Sequence, residues 1–152
     1  MKWVKKMNCT FFGHRNCPET IHDALHNAIE YLIQNRGVRL FYVGNQGNFD
    51  SLVLKELRNL QNKYTFIQFR IVLAYIPVEK SAIKLEMDDY TIVPPGIENV
   101  PRRFAICYRN KWMIQQSQYV ISYVVHTSGG AAQFTALAER QGKTVIRLPI
   151  SK

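Results

Sequence analysis

The stretch that most narrows what this chain can fold into is YVISYVV, residues 119–125. A strand at a sheet surface alternates apolar and polar side chains, whereas this run is almost continuously apolar and rich in β-branched residues. That pattern is expected of a central parallel strand buried on both faces. Such a strand needs helices above and below it, joined by crossovers.

The rest of the chain supplies them. MNCTFF, 7–12, reads as a first strand ending at Gly13-His14-Arg15. Pro18 sits where a first helical turn tolerates it, and Ile21, Leu25, Ala28, Leu32 and Ile33 recur at helical spacing until Gly37 supplies a stop. VRLFYV, 38–43, is a second strand, followed by a turn from Gly44 to Asp50 and a helix carried by Leu52, Val53, Leu57 and Leu60. FIQFRIVLAYI, 66–76, gives a third strand closed by Pro77. From Val78 to Glu98 the pattern weakens to a helical turn near Lys80 to Leu85 and a short extended piece, YTIVPPG. A helix spans Arg103 to Ser117, the opening run is the fourth strand, another helix runs from Ala131 to Gln141, and TVIRLPI makes a fifth strand.

Strands alternating with helices define an α/β class with a parallel sheet and right-handed crossovers. The expectation is a single Rossmann-like domain over residues 1–152, with a five-stranded, mainly parallel sheet and helices on both faces. If the first three strands wind one way and the last two the other, the order is 3-2-1-4-5 and the switch lies between strands one and four. Ligands bind at such a switch. The loops GHRN and HTSGGA then face each other there.

Length and composition agree with one domain: 152 residues, 47% hydrophobic, suffice for one core. The basic-then-apolar start MKWVKKMNCTFFGHR is broken too early to be a secretory signal, and no run approaches the roughly 18 apolar residues of a membrane span. Cys9, Cys17 and Cys107 are odd in number and never in CxxC spacing, so a reducing cytoplasm is expected, with no disulfide framework and no zinc site. Twenty Lys and Arg against eleven Asp and Glu give a formal charge of +9, a field that attracts anions. Nucleic acid and phosphorylated small molecules both qualify, and a solvated basic surface accounts for most of these residues.

In TSGGA, Gly129 and Gly130 keep no side chain between a ligand and the backbone, and Ala131 begins a helix whose free N–H groups favour phosphate. A tight turn needing glycine only for its angles is the competing reading. Gly13, His14 and Arg15 offer backbone approach, an imidazole and a guanidinium that forks onto phosphate, or an exposed polar loop. Arg109 lies four residues from both Ala105 and Met113, on a helix face with apolar neighbours, where it needs a partner: a ligand or a structural ion pair. Gly44, Gly47 and Asp50 form another strand-to-helix turn, with Asp50 either bonding a ribose or capping the helix. His22 and His26 lack the glutamate of HExxH and an evident third ligand, Ser128 is outside any GxSxG elbow, and Tyr108 and Trp112 offer a stacking surface or core packing.

The ordered set TFFGHR, FYVGNQGNFD, PPGIENVPRRFAICYRNKWM, SQYVISYVV and SGGA resembles the SLOG superfamily, the Rossmann-like group that includes YpsA-like proteins, DprA proteins and LOG-type phosphoribohydrolases. The likeness spans nearly the whole chain and is nearest to YpsA-like proteins. It implies a nucleotide or ADP-ribose-like ligand at the switch, and a homodimer or higher homo-oligomer. LOG-type enzymes carry an Arg-Lys pair before a methionine and a PGGxGTxEE loop. Here Arg109 and Met113 match, but Asn110 replaces the lysine, Ala132 the third glycine, Gln133 the threonine, and Thr135 and Ala136 the acidic pair. Cleaving an N-glycosidic bond calls for a carboxylate. Glu139 is displaced by about 6 Å along its helix, which leaves Glu98 or Asp50 as candidates.

The leading expectation is therefore a binding or sensing protein for a nucleotide-derived, phosphate-bearing small molecule, without metal or other cofactor. Its expected contacts are Gly13, His14, Arg15, Gly44, Asp50, Arg109, Ser128, Gly129, Gly130 and Ala131. An N-glycosidic hydrolase using Glu98 or Asp50, and a single-stranded nucleic-acid binder, are the alternatives.

Overall fold

A computed structural model describes residues 6–76 and 90–150. The helical turn expected at Lys80 to Leu85, and the basic residues Lys2, Lys5 and Lys152, lie outside them. The strands are β1 (Met7–Gly13), β2 (Val38–Val43), β3 (Gln68–Val72), β4 (Thr91–Ile92), β5 (Tyr119–Tyr123) and β6 (Thr144–Arg147). The helices are α1 (His22–Arg36), α2 (Gly47–Gln61), α3 (Ala105–Gln115) and α4 (Gly130–Arg140), with short 3-10 turns at Glu19–Ile21, Ile97–Asn99 and Arg102–Phe104.

The six strands form one sheet in the order β4-β3-β2-β1-β5-β6, every pair parallel. The expected winding is present, but the sheet has six strands rather than five. The extra one comes from the extended piece YTIVPPG. It pairs Thr91 with Ile71 and Ile92 with Val72, and Ile71 and Leu73 donate backbone hydrogen bonds to Tyr90 (2.6 Å) and Ile92 (2.9 Å). Two residues are too few to show an alternation, so a strand this short leaves no periodic signal. The third strand is also shorter than 66–76, because the chain turns away after Val72 and buries Ala74 against Ile97 and Ala105.

β5 is buried on both faces, as its composition demands. The alternation along β1 divides the interior. Cys9 and Phe11 face the layer of α1 and α2, with Phe41, Phe49 and Leu57; Phe12 faces the layer of α3 and α4, with Met113 and Phe134. Phe11 stacks on Phe41 with centroids 6.0 Å apart and Phe12 on Phe134 at 5.8 Å. Each buried phenylalanine contributes about 1.5–3 kcal/mol. Gly37 ends α1 in the left-handed conformation, φ 70°, and its N–H reaches back to the Leu32 carbonyl.

Between α1 and α2 lies a polar seam. The Glu56 carboxylate is buried, and its two oxygens are held by His22 Nε2 at 2.6 Å and by His26 Nδ1. His22 Nδ1 faces Asp23 at 3.2 Å, and His26 Nε2 faces Glu30 at 3.5 Å. The structure thus supplies Glu56 as a third partner to the two histidines. Direct contacts this short leave no room for an ion bonded at about 2.0–2.2 Å to each side. The bond to Asp23, and then Glu56, raise the His22 pKa above its ordinary value. A raised pKa gives stability that is full below about pH 6.5 and is lost as pH rises through the raised value. His22→Gln should therefore flatten the fall in stability as pH rises above the ordinary histidine range, read as urea midpoints across a pH series; an unchanged slope would free the seam of this role.

Candidate functional site

The reversal of winding between β1 and β5 opens a crevice at the carboxyl ends of the strands. A cleft of about 400 Å³ occupies it, a size within the range of small-molecule sites. The loop after β1, the turn into α2, the inner face of α3 and the first turn of α4 form its walls. Gly13, His14, Arg15, Gly44, Asp50, Arg109, Gly130 and Ala131 all line it. Three expected residues do not. Ser128 and Gly129 are exposed in the loop before α4, and Glu98 is exposed beside a separate depression of about 170 Å³ with Tyr75 and Arg102. Tyr108 and Trp112 are also elsewhere: Tyr108 Oη donates to the Pro95 carbonyl at 2.5 Å and Trp112 packs edge-on against Tyr42.

Gly13 has a packing reason to be glycine. A Cβ there would fall 2.2 Å from the Phe49 ring, which is fully buried. Gly44 has a different one, since its Cβ would lie 2.9 Å from Asp50 Oδ2 and 3.1 Å from Arg109 Nη1. Its absence opens the space between these two charged groups.

Arg109 is only 2% exposed. Its Nε donates to Asn110 Oδ1 at 2.7 Å, and its Nη1 to the Val72 carbonyl at 2.8 Å and to Asn45 Oδ1 at 3.3 Å. No carboxylate among the described residues is in direct ion-pair contact with it. Asn110 therefore orients Arg109, a role hidden in the sequence because adjacent residues on a helix do not share a face.

Asp50 is 9% exposed, and its Oδ2 accepts the Gln46 N–H at 2.9 Å, so it does cap the start of α2. Burial pushes its carboxyl up to about 6, against the lowering effects of the Gln46 bond and of Arg109. For an acid raised in the folded state, the linked stability is full below its unfolded value and is lost as pH rises through about 6. Asp50→Asn, which keeps an acceptor for Gln46, should thus be more stable than the parent at pH 8 by about 3 kcal/mol, with the gap closing near pH 4. Urea unfolding at both pH values measures this, and equal stability at pH 8 would show that the carboxylate is not under strain.

His14 reaches across the crevice. Its Nε2 accepts the N–H groups of Val125 (2.7 Å) and His126 (3.2 Å), tying the loop after β1 to the loop after β5. An accepting Nε2 requires the neutral ring with its proton on Nδ1. Burial, and the nearby His126, lower its pKa. His14 is thus engaged with backbone rather than free at both nitrogens. Arg15, at the mouth, donates to Gln46 Oε1 at 3.2 Å.

α4 is entered from Gly129, with φ 100°, and has neither a side-chain cap bond nor an acidic residue in its first turn. Its first two residues, Gly130 and Ala131, line the cleft. Thr135, at the place of the missing acidic residue, donates its hydroxyl to the Ala131 carbonyl at 2.6 Å. Asp50 is the one acidic residue lining the cleft among the described residues. No helix among them is long and apolar enough to cross a membrane.

No family model matches the chain, and no curated protein matches it. Among solved structures it is similar to DNA processing protein A (DprA) from Streptococcus pneumoniae, with a TM-score of 0.68 and 17% identity. The match covers 96% of this chain and 51% of that one, so the chain spans about half the length of its structural neighbour. At that identity the likeness shows the fold alone, the α/β fold expected from the alternation of strands and helices.

Proposed function

We propose that the cleft binds a nucleotide-derived, phosphate-bearing small molecule, a nucleotide or an ADP-ribose-like compound, and that the protein acts as a sensor or carrier of it rather than as an enzyme. The observation that carries this reading is the uncapped first turn of α4, which opens on the same cleft as the buried, partly unengaged Asp50 and Arg109. The amides of Gly130 and Ala131 supply phosphate donors with favourable dipole sign, and Arg15 stands at the entrance. The resemblance to YpsA-like proteins supports the same ligand class. On this reading the protein is a cytoplasmic homo-oligomer that needs no metal.

Incubation with AMP, GMP, ADP and ADP-ribose tests the proposal, with thermal unfolding and product analysis as readouts. A member present at 100 times its Kd should stabilise the fold by about 2.7 kcal/mol, without release of free base. Base release would make the protein a hydrolase, with Asp50 the one carboxylate lining the cleft among the described residues. Binding only to single-stranded oligonucleotides, falling steeply with salt, would replace the small-molecule reading altogether.

A further inference from the structure

The ligand just proposed has two chemically distinct ends, and the cleft offers two distinct surfaces. We infer that the Asp50–Arg109 floor takes a vicinal diol, the neutral hydroxyl-bearing part of a ribose, while the phosphate stays at the first turn of α4. The inference rests on the proposed ligand class and adds its orientation.

Three features of the floor support this assignment. Asp50 uses Oδ2 for the Gln46 N–H, and Oδ1 has no partner among the described residues. Arg109 spends Nε and Nη1 on Asn110, Val72 and Asn45, and Nη2 has no partner among the described residues. Neither atom is sealed in the interior, where the Ser122 hydroxyl is the one unpartnered side-chain polar atom among the described residues. Both residues line the cleft, so the two unengaged atoms are left for a ligand.

The two charged groups close on the same glycine, since a Cβ at Gly44 would lie 2.9 Å from Asp50 Oδ2 and 3.1 Å from Arg109 Nη1, and both line the cleft beside it. They do not ion-pair directly. A group placed between them must donate to a carboxylate and accept from a guanidinium. A vicinal diol does both, because each hydroxyl is a donor and an acceptor.

A phosphate fits this floor poorly. The formal charges of Asp50 and Arg109 cancel, and a dianion lodged there would face a buried carboxylate, whose repulsion is strong away from water. The α4 end has the opposite character, with free amides, no acidic residue in the first turn and Arg15 at the mouth. Anion and polyol are thereby sorted to different walls.

A proton linkage follows. The groups that face Asp50 are Arg109 from α3 and the Gln46 amide at the start of its own helix; Tyr75 acts on Arg109, and Arg15 and His14 line the cleft from the loop after β1. Its carboxyl titrates at about 6. Hydroxyl donors stabilise the ionised form, so diol binding expels the proton and affinity falls as pH drops below that value. A phosphate on the floor would do the reverse, drawing a proton in.

The test compares AMP and GMP with their 2′,3′-dideoxy counterparts by titration calorimetry at pH 5 to 8, in buffers of different ionisation enthalpy. The phosphate titrates near 6 in all four ligands, so its own contribution cancels within each pair. The parent protein should bind the ribonucleotide about 10- to 100-fold more tightly than the dideoxy form at pH 8, with the preference shrinking towards pH 5. Asp50→Asn should lose the pH dependence of that preference while still requiring the phosphate, shown by weak binding of adenosine or guanosine. Equal affinity for both members of a pair, or a ribose preference that grows with acidity, overturns the inference but leaves the ligand class standing. Failure of every nucleotide to bind removes both. Because the ligand comparison uses the parent protein, it holds even if the variant folds badly.

Discussion

Gly13→Ala is expected to destabilise the protein by about 3 kcal/mol, the upper end of the usual cost of overpacking a core. In a domain of this size that is on the order of 10 °C in Tm. The added methyl would meet three Phe49 ring atoms at 2.2–2.7 Å. The ring is fully buried, and it is stacked at 6.5 Å on Tyr123 of β5, so it has little room to swing aside. The site would feel the change as well, since Phe49 and Asp50 are neighbours in the first turn of α2. Phe49→Leu in the alanine background should recover part of the loss, giving non-additive energies in a double-mutant cycle. Additive energies, or an unaltered Tm for Gly13→Ala alone, would show that the ring is not the obstacle.

Arg109→Ala combines a large structural effect with a functional one. It would leave the Val72 carbonyl and the Asn45 and Asn110 side-chain oxygens without their donor, and Asp50 without an opposing cation. Losses of this kind cost about 3–4 kcal/mol. The Asp50 carboxyl, relieved of one lowering influence, should titrate above its present value, and nucleotide binding should disappear. Arg109→Lys keeps a charge but not the fork, so it should retain more stability than alanine without restoring affinity. Chemical denaturation, carboxyl titration by NMR and calorimetry give the three readouts. A variant that unfolds at the parent midpoint and binds nucleotide as tightly would remove Arg109 from both the architecture and the site.

Features written in local pattern were legible from sequence. The run at 119–125 announced a doubly covered strand, Gly37 a helix stop, and the alternation of elements a switch at the centre of the sheet. The Arg109 anomaly, a cation among apolar helix positions, pointed to a residue that is indeed buried. What escaped depended on contacts distant in sequence or on very short elements. β4 is two residues long. Glu56 reads as an ordinary solvated glutamate until α1 lays two histidines against it. His14 looked like a free ligand donor, and only the approach of residues 125 and 126 shows that one nitrogen is occupied. Glu98 stands as a candidate because a carboxylate from another loop could replace the missing acidic pair, and the path of the chain after β4 places it beside a separate depression instead.

The central place of β1 also has a consequence for biosynthesis. β1 acquires its second neighbour only when residues 119–123 have been made, and the cleft acquires its α4 wall only with Gly130 and Ala131. A chain stopped before that point holds Asp50 but lacks Arg109 or the opposite wall. On the proposed function, ligand capture waits for the last strands of this sheet, so a nucleotide present during translation would act late, locking the sheet after β5 and β6 dock rather than guiding the first strands together.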